Sequence, residues 1–166
     1  VARKTEEMKI KNLILILASF VLFVQCDSPH FYQKQESVKD NWNKNSAVNY
    51  QFEVKDTAAK YDFFLLSRNN NQYPYSNLYL FTRLVTPKGE EFTDTLQYYL
   101  AFQDGEWVGK GNSLKELYLL YRENVSLKDT GTYKLSVWHG MREDNITGIE
   151  DLSLIVDKKS QNERTK

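Results

Sequence analysis

Residues able to do covalent or acid–base chemistry are few in this chain: one cysteine, Cys26, and two histidines, His30 and His139. A zinc site or a Cys/His dyad needs more ligands of these types than the three supply. Ser-His-Asp catalysis would have to use His139, in the middle of an expected strand where a surface position is the ordinary reading, and no G-x-S-x-G elbow accompanies it. Asp94 with Glu106, or Asp144 with Glu150, has the residue types of a glycosidase pair, but carboxylates are common on solvated turns and sequence alone fixes no separation. Oxygen ligands for calcium occur in "REDN" (residues 142–145) and in the "DGE" turn, two or three at a time, fewer than a calcium site uses. No Gly-rich loop leads from a strand into a helix to cradle phosphate. The reading is a chain with no catalytic residues, no metal and no cofactor, for which a small-molecule ligand is not expected.

Cys26 has another chemistry open to it. It follows "MKIKNLILILASFVLFVQ", a start methionine at Met8, two lysines and an almost wholly apolar run over residues 13–24. A basic n-region before an apolar h-region of this length reads as an export signal. A dozen residues at 1.5 Å each span roughly 18 Å, short of the ~30 Å a membrane-crossing helix must cover. A cysteine closing such a run looks like a bacterial lipobox, in which the thiol receives a diacylglyceryl group and becomes the first residue after cleavage. Gln25 departs from the small residue usual before that cysteine. With a single thiol no intramolecular disulfide is possible, so folding must rest on the core.

The whole chain carries 22 basic and 22 acidic residues. Setting aside Arg3, Lys4, Lys9, Lys11, Glu6 and Glu7, upstream of the cysteine, leaves 18 basic and 20 acidic residues, a charge of −2. No basic stripe remains for phosphates, which argues against nucleic-acid binding.

Four segments are expected: residues 1–25 as upstream residues and signal peptide, 26–46 as lipid anchor and polar tether, 47–157 as one folded domain, and 158–166 as a disordered charged tail. The domain reads as all-β. "AVNYQFEVKD" alternates, with Val48, Tyr50, Phe52 and Val54 on one face. "YDFFLLSR" and "NLYLFTRLV" are apolar on both faces and read as central strands. "TPKGEEF" is a turn, and "FTDTLQYYLAF" alternates again with Phe92, Leu96, Tyr98 and Leu100 inward. "SLKELYLLYRENV" fits either a helix begun at Ser113 or a strand from about Tyr118, and the strand is preferred for its tyrosines and β neighbours. Asp129-Thr130-Gly131-Thr132-Tyr133 has the tyrosine-corner pattern, in which the hydroxyl bonds back to upstream backbone. "DLSLIVD" ends the domain. About eight strands without a crossover helix predict an antiparallel two-sheet β-sandwich, jelly-roll or Ig-like.

Aromatic residues on loops are the other notable feature. Tyr73 and Tyr75 flank Pro74 on a polar loop and Trp107 sits beside a turn, positions where rings supply recognition area with little entropy lost. Packing of that loop on its own sheet is the competing expectation.

From Met8 to about Lys159 the chain resembles the GldH gliding-motility lipoprotein family of Bacteroidota. The residues that carry the likeness are "FVQC" at 23–26, "GTY" at 131–133, "GMRED" at 140–144 and "GIEDLSLIV" at 148–156. The resemblance implies a membrane lipoprotein required for gliding, a movement that depends on adhesins delivered by the type IX secretion system, and it implies lipid attachment at Cys26. It assigns no enzymatic activity and no role to Met141 or Arg142; a pairing of Arg142 with a carboxylate would hold the last hairpin. Thr57 and Thr95, in Asp-Thr-apolar triplets, look like O-glycosylation acceptors of exported proteins in that phylum. A single acid, Asp27, after the cysteine points to a periplasm-facing anchor. The function expected is a lipid-anchored scaffold or assembly factor whose partners are gliding and secretion proteins of the cell envelope. The alternative is a lipid-anchored glycan-binding jelly roll using Tyr73, Tyr75 and Trp107.

Overall fold

The computed structural model describes residues 30–38 and 41–159. Among them are ten strands and no helix: β1 (Tyr32–Ser37), β2 (Trp42–Asn43), β3 (Val48–Val54), β4 (Lys60–Asn69), β5 (Asn77–Val85), β6 (Glu91–Tyr99), β7 (Lys115–Ser126), β8 (Gly131–His139), β9 (Asn145–Ile146) and β10 (Ile149–Lys158). In β3 the sequence alternation becomes geometry: Val48, Tyr50, Phe52 and Val54 are buried and the residues between them exposed, because successive side chains leave a strand on opposite faces.

Two four-stranded antiparallel sheets form, β1-β10-β4-β7 and β3-β8-β5-β6, with β2 and β9 as a separate two-stranded ribbon. Phe63, Leu65 and Leu154 from the first sheet meet Phe52, Leu80 and Leu135 from the second in one continuous core. Each such side chain contributes about 1.5–3 kcal/mol through burial. The fold is the expected all-β sandwich. Only β5 and β6 join as a hairpin within one sheet; the other connections between long strands pass from one sheet to the other, as Greek-key sandwiches require.

Polar groups close one side of the sandwich. Asp94 on β6 accepts from Arg122 Nη2 on β7 at 2.5 Å and from the Tyr121 hydroxyl at 3.2 Å. The Tyr98 hydroxyl donates to the Leu120 carbonyl at 2.8 Å, and burial pushes its pKa up to about 12. On the other side Tyr32 of β1 packs on Phe52 of β3 with ring centroids 5.6 Å apart. Across the middle, the buried Tyr50 hydroxyl donates to the Leu152 carbonyl at 2.7 Å.

The tyrosine corner is present: Tyr133 Oη donates to the Asp129 carbonyl at 3.1 Å and lies 3.2 Å from the Asp129 amide, which donates to it. Gly131 holds φ +121° in that turn, a left-handed value glycine adopts without steric cost.

Several expectations require correction. Residues 32–37, read as tether, form an edge strand paired with β10 from Tyr32 opposite Val156 to Ser37 opposite Asp151, and Trp42 enters the core. An edge strand packs little surface, so β1 keeps a polar, tether-like composition. Lys158 ends β10 and the Lys159 amide donates to the Lys60 carbonyl, so the sheet runs past residue 157. The strand preferred for residues 113–125 is β7, but it starts at Lys115 rather than at about Tyr118. Phe92, opposite inward-facing Leu84 near the start of β6, is nevertheless 44% exposed. Its ring lies under the Arg122 guanidinium at 5.8 Å.

Candidate functional site

The loop after β8 joins most of the chain's distinctive residues. It leaves the sheet at Gly140, whose amide donates to the Tyr79 carbonyl at 2.7 Å. A Cβ at Gly140 would stand 3.0 Å from the Phe81 ring, so glycine lets that ring lie close. Met141 Sδ accepts from the Tyr79 amide at 3.4 Å. Asp144 is tied to Lys44 twice, by its carbonyl at 2.8 Å and by its carboxylate at 2.6 Å, and Lys44 holds that carboxyl below the usual range. Lys44, rather than Arg142, therefore anchors this hairpin, and Arg142 is exposed. Beyond β9, Gly148 at φ +83° approaches so closely that a Cβ would lie 2.2 Å from the Tyr73 amide nitrogen.

These constraints leave an open groove of about 610 Å³ at one end of the second sheet, lined by Tyr75, Asn77, Tyr79, Met141, Arg142 and Glu143. The Tyr75 hydroxyl bonds to the Glu143 carboxylate, which raises the tyrosine's pKa.

The aromatic residues expected on loops separate. Tyr73 is 3% exposed and its hydroxyl donates to the Asn77 carbonyl at 2.8 Å, so no ring face remains for a ligand; the loop turns inward because Tyr73 packs edge-on against Tyr75 at 5.6 Å. Tyr75 stays half-buried and lines the groove. Trp107 is half-buried against the core, in a bridge with Ala101. The three do not form one platform.

His139 is buried rather than on the surface, at 1% exposed. It packs edge-on against Trp42 with ring centroids 5.4 Å apart, and neither ring nitrogen meets a hydrogen-bond partner. Burial pushes its pKa down, against a smaller upward pull from the backbone of Trp42 and Asp144. Of the imagined acid pairs, Asp94 is neutralised by Arg122, Asp144 by Lys44, and Glu150 accepts from Asn70 Nδ2. Among the described residues no three His, Cys, Asp or Glu side chains gather as metal ligands. Thr57 and Thr95 are both exposed, the first in a bend after β3 and the second on β6. Cys26 lies outside the described residues.

The groove itself escaped sequence reading because its two walls are more than sixty residues apart and meet only through the pairing of β5 with β8. The signal available was Gly140, a glycine just past an alternating run, which marks a close approach.

A two-sheet antiparallel sandwich with its structural glycines, tyrosine corner and charged end loop in these positions defines a class of β-domain, and the comparisons narrow it. The GldH lipoprotein family profile matches residues 30–156. A gliding motility lipoprotein GldH homolog of Christiangramia forsetii is 38% identical over 148 residues, covering 88% of this chain and 91% of the relative. Gliding motility lipoprotein GldH of Flavobacterium johnsoniae is 38% identical over 152 residues, 90% of this chain and 94% of that one. The chain belongs to the GldH family of gliding-motility lipoproteins. Among solved structures, the VP2 subviral particle of infectious bursal disease virus aligns with a TM-score of 0.35 at 13% identity, over 80% of this chain and 34% of that one, too remote to carry an argument.

Proposed function

We propose that this lipoprotein is a non-catalytic scaffold or assembly factor for the gliding and type IX secretion apparatus, held by a lipid on Cys26 and facing the periplasm. The observation that carries the reading is the 38% identity to GldH of F. johnsoniae across 90% of the chain. The acid–base pairings support a structural role: of the four carboxylates first considered as catalytic, Asp94, Asp144 and Glu150 are engaged with Arg122, Lys44 and Asn70.

The test is a clean deletion scored for colony spreading and for export of surface adhesins, with wild-type complementation. Loss of both, restored by the wild-type copy, supports the reading. Normal adhesin export with lost spreading removes the secretion role and leaves a motility role alone. Protease treatment of intact cells that degrades the domain refutes the periplasmic orientation.

A further inference from the structure

Strand register builds a second surface that none of the preceding roles uses. On the outer face of the β3-β8-β5-β6 sheet, Phe81 lies between Trp138 of β8 and Thr95 of β6. The neighbouring row sets Tyr79 opposite Gln97 and next to Gly140. The row on the other side sets Arg83 between Thr93 and Ser136, with Asn49 beyond. Phe81 is 46% exposed, Trp138 is half-buried, and Thr95 and Gln97 are exposed. The Arg83 guanidinium sits over the Trp138 ring at 5.5 Å, which orients that ring. Past Gly140 this face runs directly into the groove at Tyr79, Met141 and Glu143.

We propose that this face, from Trp138 and Phe81 to the Tyr79–Glu143 groove, is a binding site for a chain of neutral sugar residues. A sugar ring presents apolar C–H faces and a rim of hydroxyls, so a complementary site needs flat rings bordered by neutral donors and acceptors. Here the open rings are Phe81 and Tyr79, amphipathic or apolar plates fixed on strands, with Trp138 beside them beneath the Arg83 guanidinium. Their borders are the hydroxyls and amide of Thr93, Thr95 and Gln97, with Ser136 and Asn49 bonded to each other at the margin. Formal charge at the face is nearly balanced: Arg142 adjoins Glu143, and Arg83 is committed to Trp138. The groove volume of about 610 Å³ falls within the roughly 300–1,000 Å³ of small-ligand sites. From Arg83 to Asn77 the face extends roughly 20 Å at strand rise, room for several linked rings. The outer face of the first sheet differs in charge: its exposed Tyr118 and Leu120 border the ion pair of Glu116 with Arg68, and its neutral polar residues Gln33 and Gln35 stand beyond β4 and β10, on β1.

The inference does not rest on the motility reading. Detergent-solubilised full-length protein is applied to an array of neutral β-glucan, xylan, mannan and chitin oligosaccharides, and binders are measured by titration calorimetry. The expected result is binding of at least one class, weakened about tenfold by Phe81→Ala and reduced by the surface variant Gln97→Ala, with thermal midpoints unchanged in Gln97→Ala. Leu120→Ala, on the other sheet, should bind like wild type. No binding at millimolar oligosaccharide overturns the proposal, as does binding indifferent to both Phe81→Ala and Gln97→Ala. A photo-crosslinker at position 81 that captures an envelope protein, with no glycan bound, assigns the face to a protein partner instead and also overturns it. None of these outcomes bears on the deletion phenotype.

Discussion

His139 is a titratable ring in an apolar layer, wedged against Trp42 with no hydrogen-bond partner. Lys44 adds a downward push on its pKa and Glu143 an upward one, both smaller than desolvation. Since the folded state holds the pKa below the ordinary 6.5, the unfolded chain takes up a proton first as pH falls. Stability from the neutral ring is therefore present above about pH 6.5 and is lost progressively below it. Urea midpoints should fall between pH 7 and pH 5 in wild type and fall less in His139→Phe. Asp56 and Asp144, whose pKa values are lowered by Lys158 and Lys44, contribute in a different window, because their stabilisation is lost only as pH drops below about 4. In sequence His139 looked like a surface strand residue. Alternation alone put it on the same face as Val137 and Leu135, and its polarity was given more weight than that periodicity.

At the scale of elements, glycines of one backbone sign differ in what surrounds them. Gly148 at φ +83° has the Tyr73 backbone within 2.5 Å of a hypothetical Cβ, whereas Gly89 at φ +85° has nothing within 4 Å. Gly148→Ala combines left-handed strain with a backbone clash and should cost about 3 kcal/mol or more. Gly89→Ala bears the strain alone, about 1–2 kcal/mol. Chemical denaturation of the two variants side by side measures the difference. Strands β3, β8 and β10 were legible because alternation and the corner pattern leave little choice; β1 was not, because Tyr32 is the one apolar side chain it packs against the core and the rest of its contribution is backbone pairing. Removing it tests its place. A chain beginning at His30 should stay monomeric, while one beginning at Ala47 exposes the edge of β10 over the six residues 151–156 and uncovers the site of Trp42. Sedimentation velocity should show the shorter chain self-associating, as an unprotected apolar edge does.

For the whole molecule, an anchor at Cys26 predicts that membrane attachment and folding separate. Cys26→Ser should move the protein from the membrane fraction to the soluble fraction while the domain keeps its melting midpoint, which fractionation and thermal unfolding of the released protein would check. The groove belongs to this scale too, since two segments distant in sequence build it and only the strand order joins them. The β1–β10 pairing also fixes an orientation. With lipid on Cys26, His30 lies four residue steps from the acyl-bearing position, a leash of at most roughly 14 Å. The domain would then ride close against the bilayer by the end where Tyr32 meets Val156, the same end as Lys60 and Lys158. Tyr75, Met141 and Glu143 stand at the opposite pole, which such an anchor would turn away from the bilayer, as the part of the molecule that any polymer or protein would meet first.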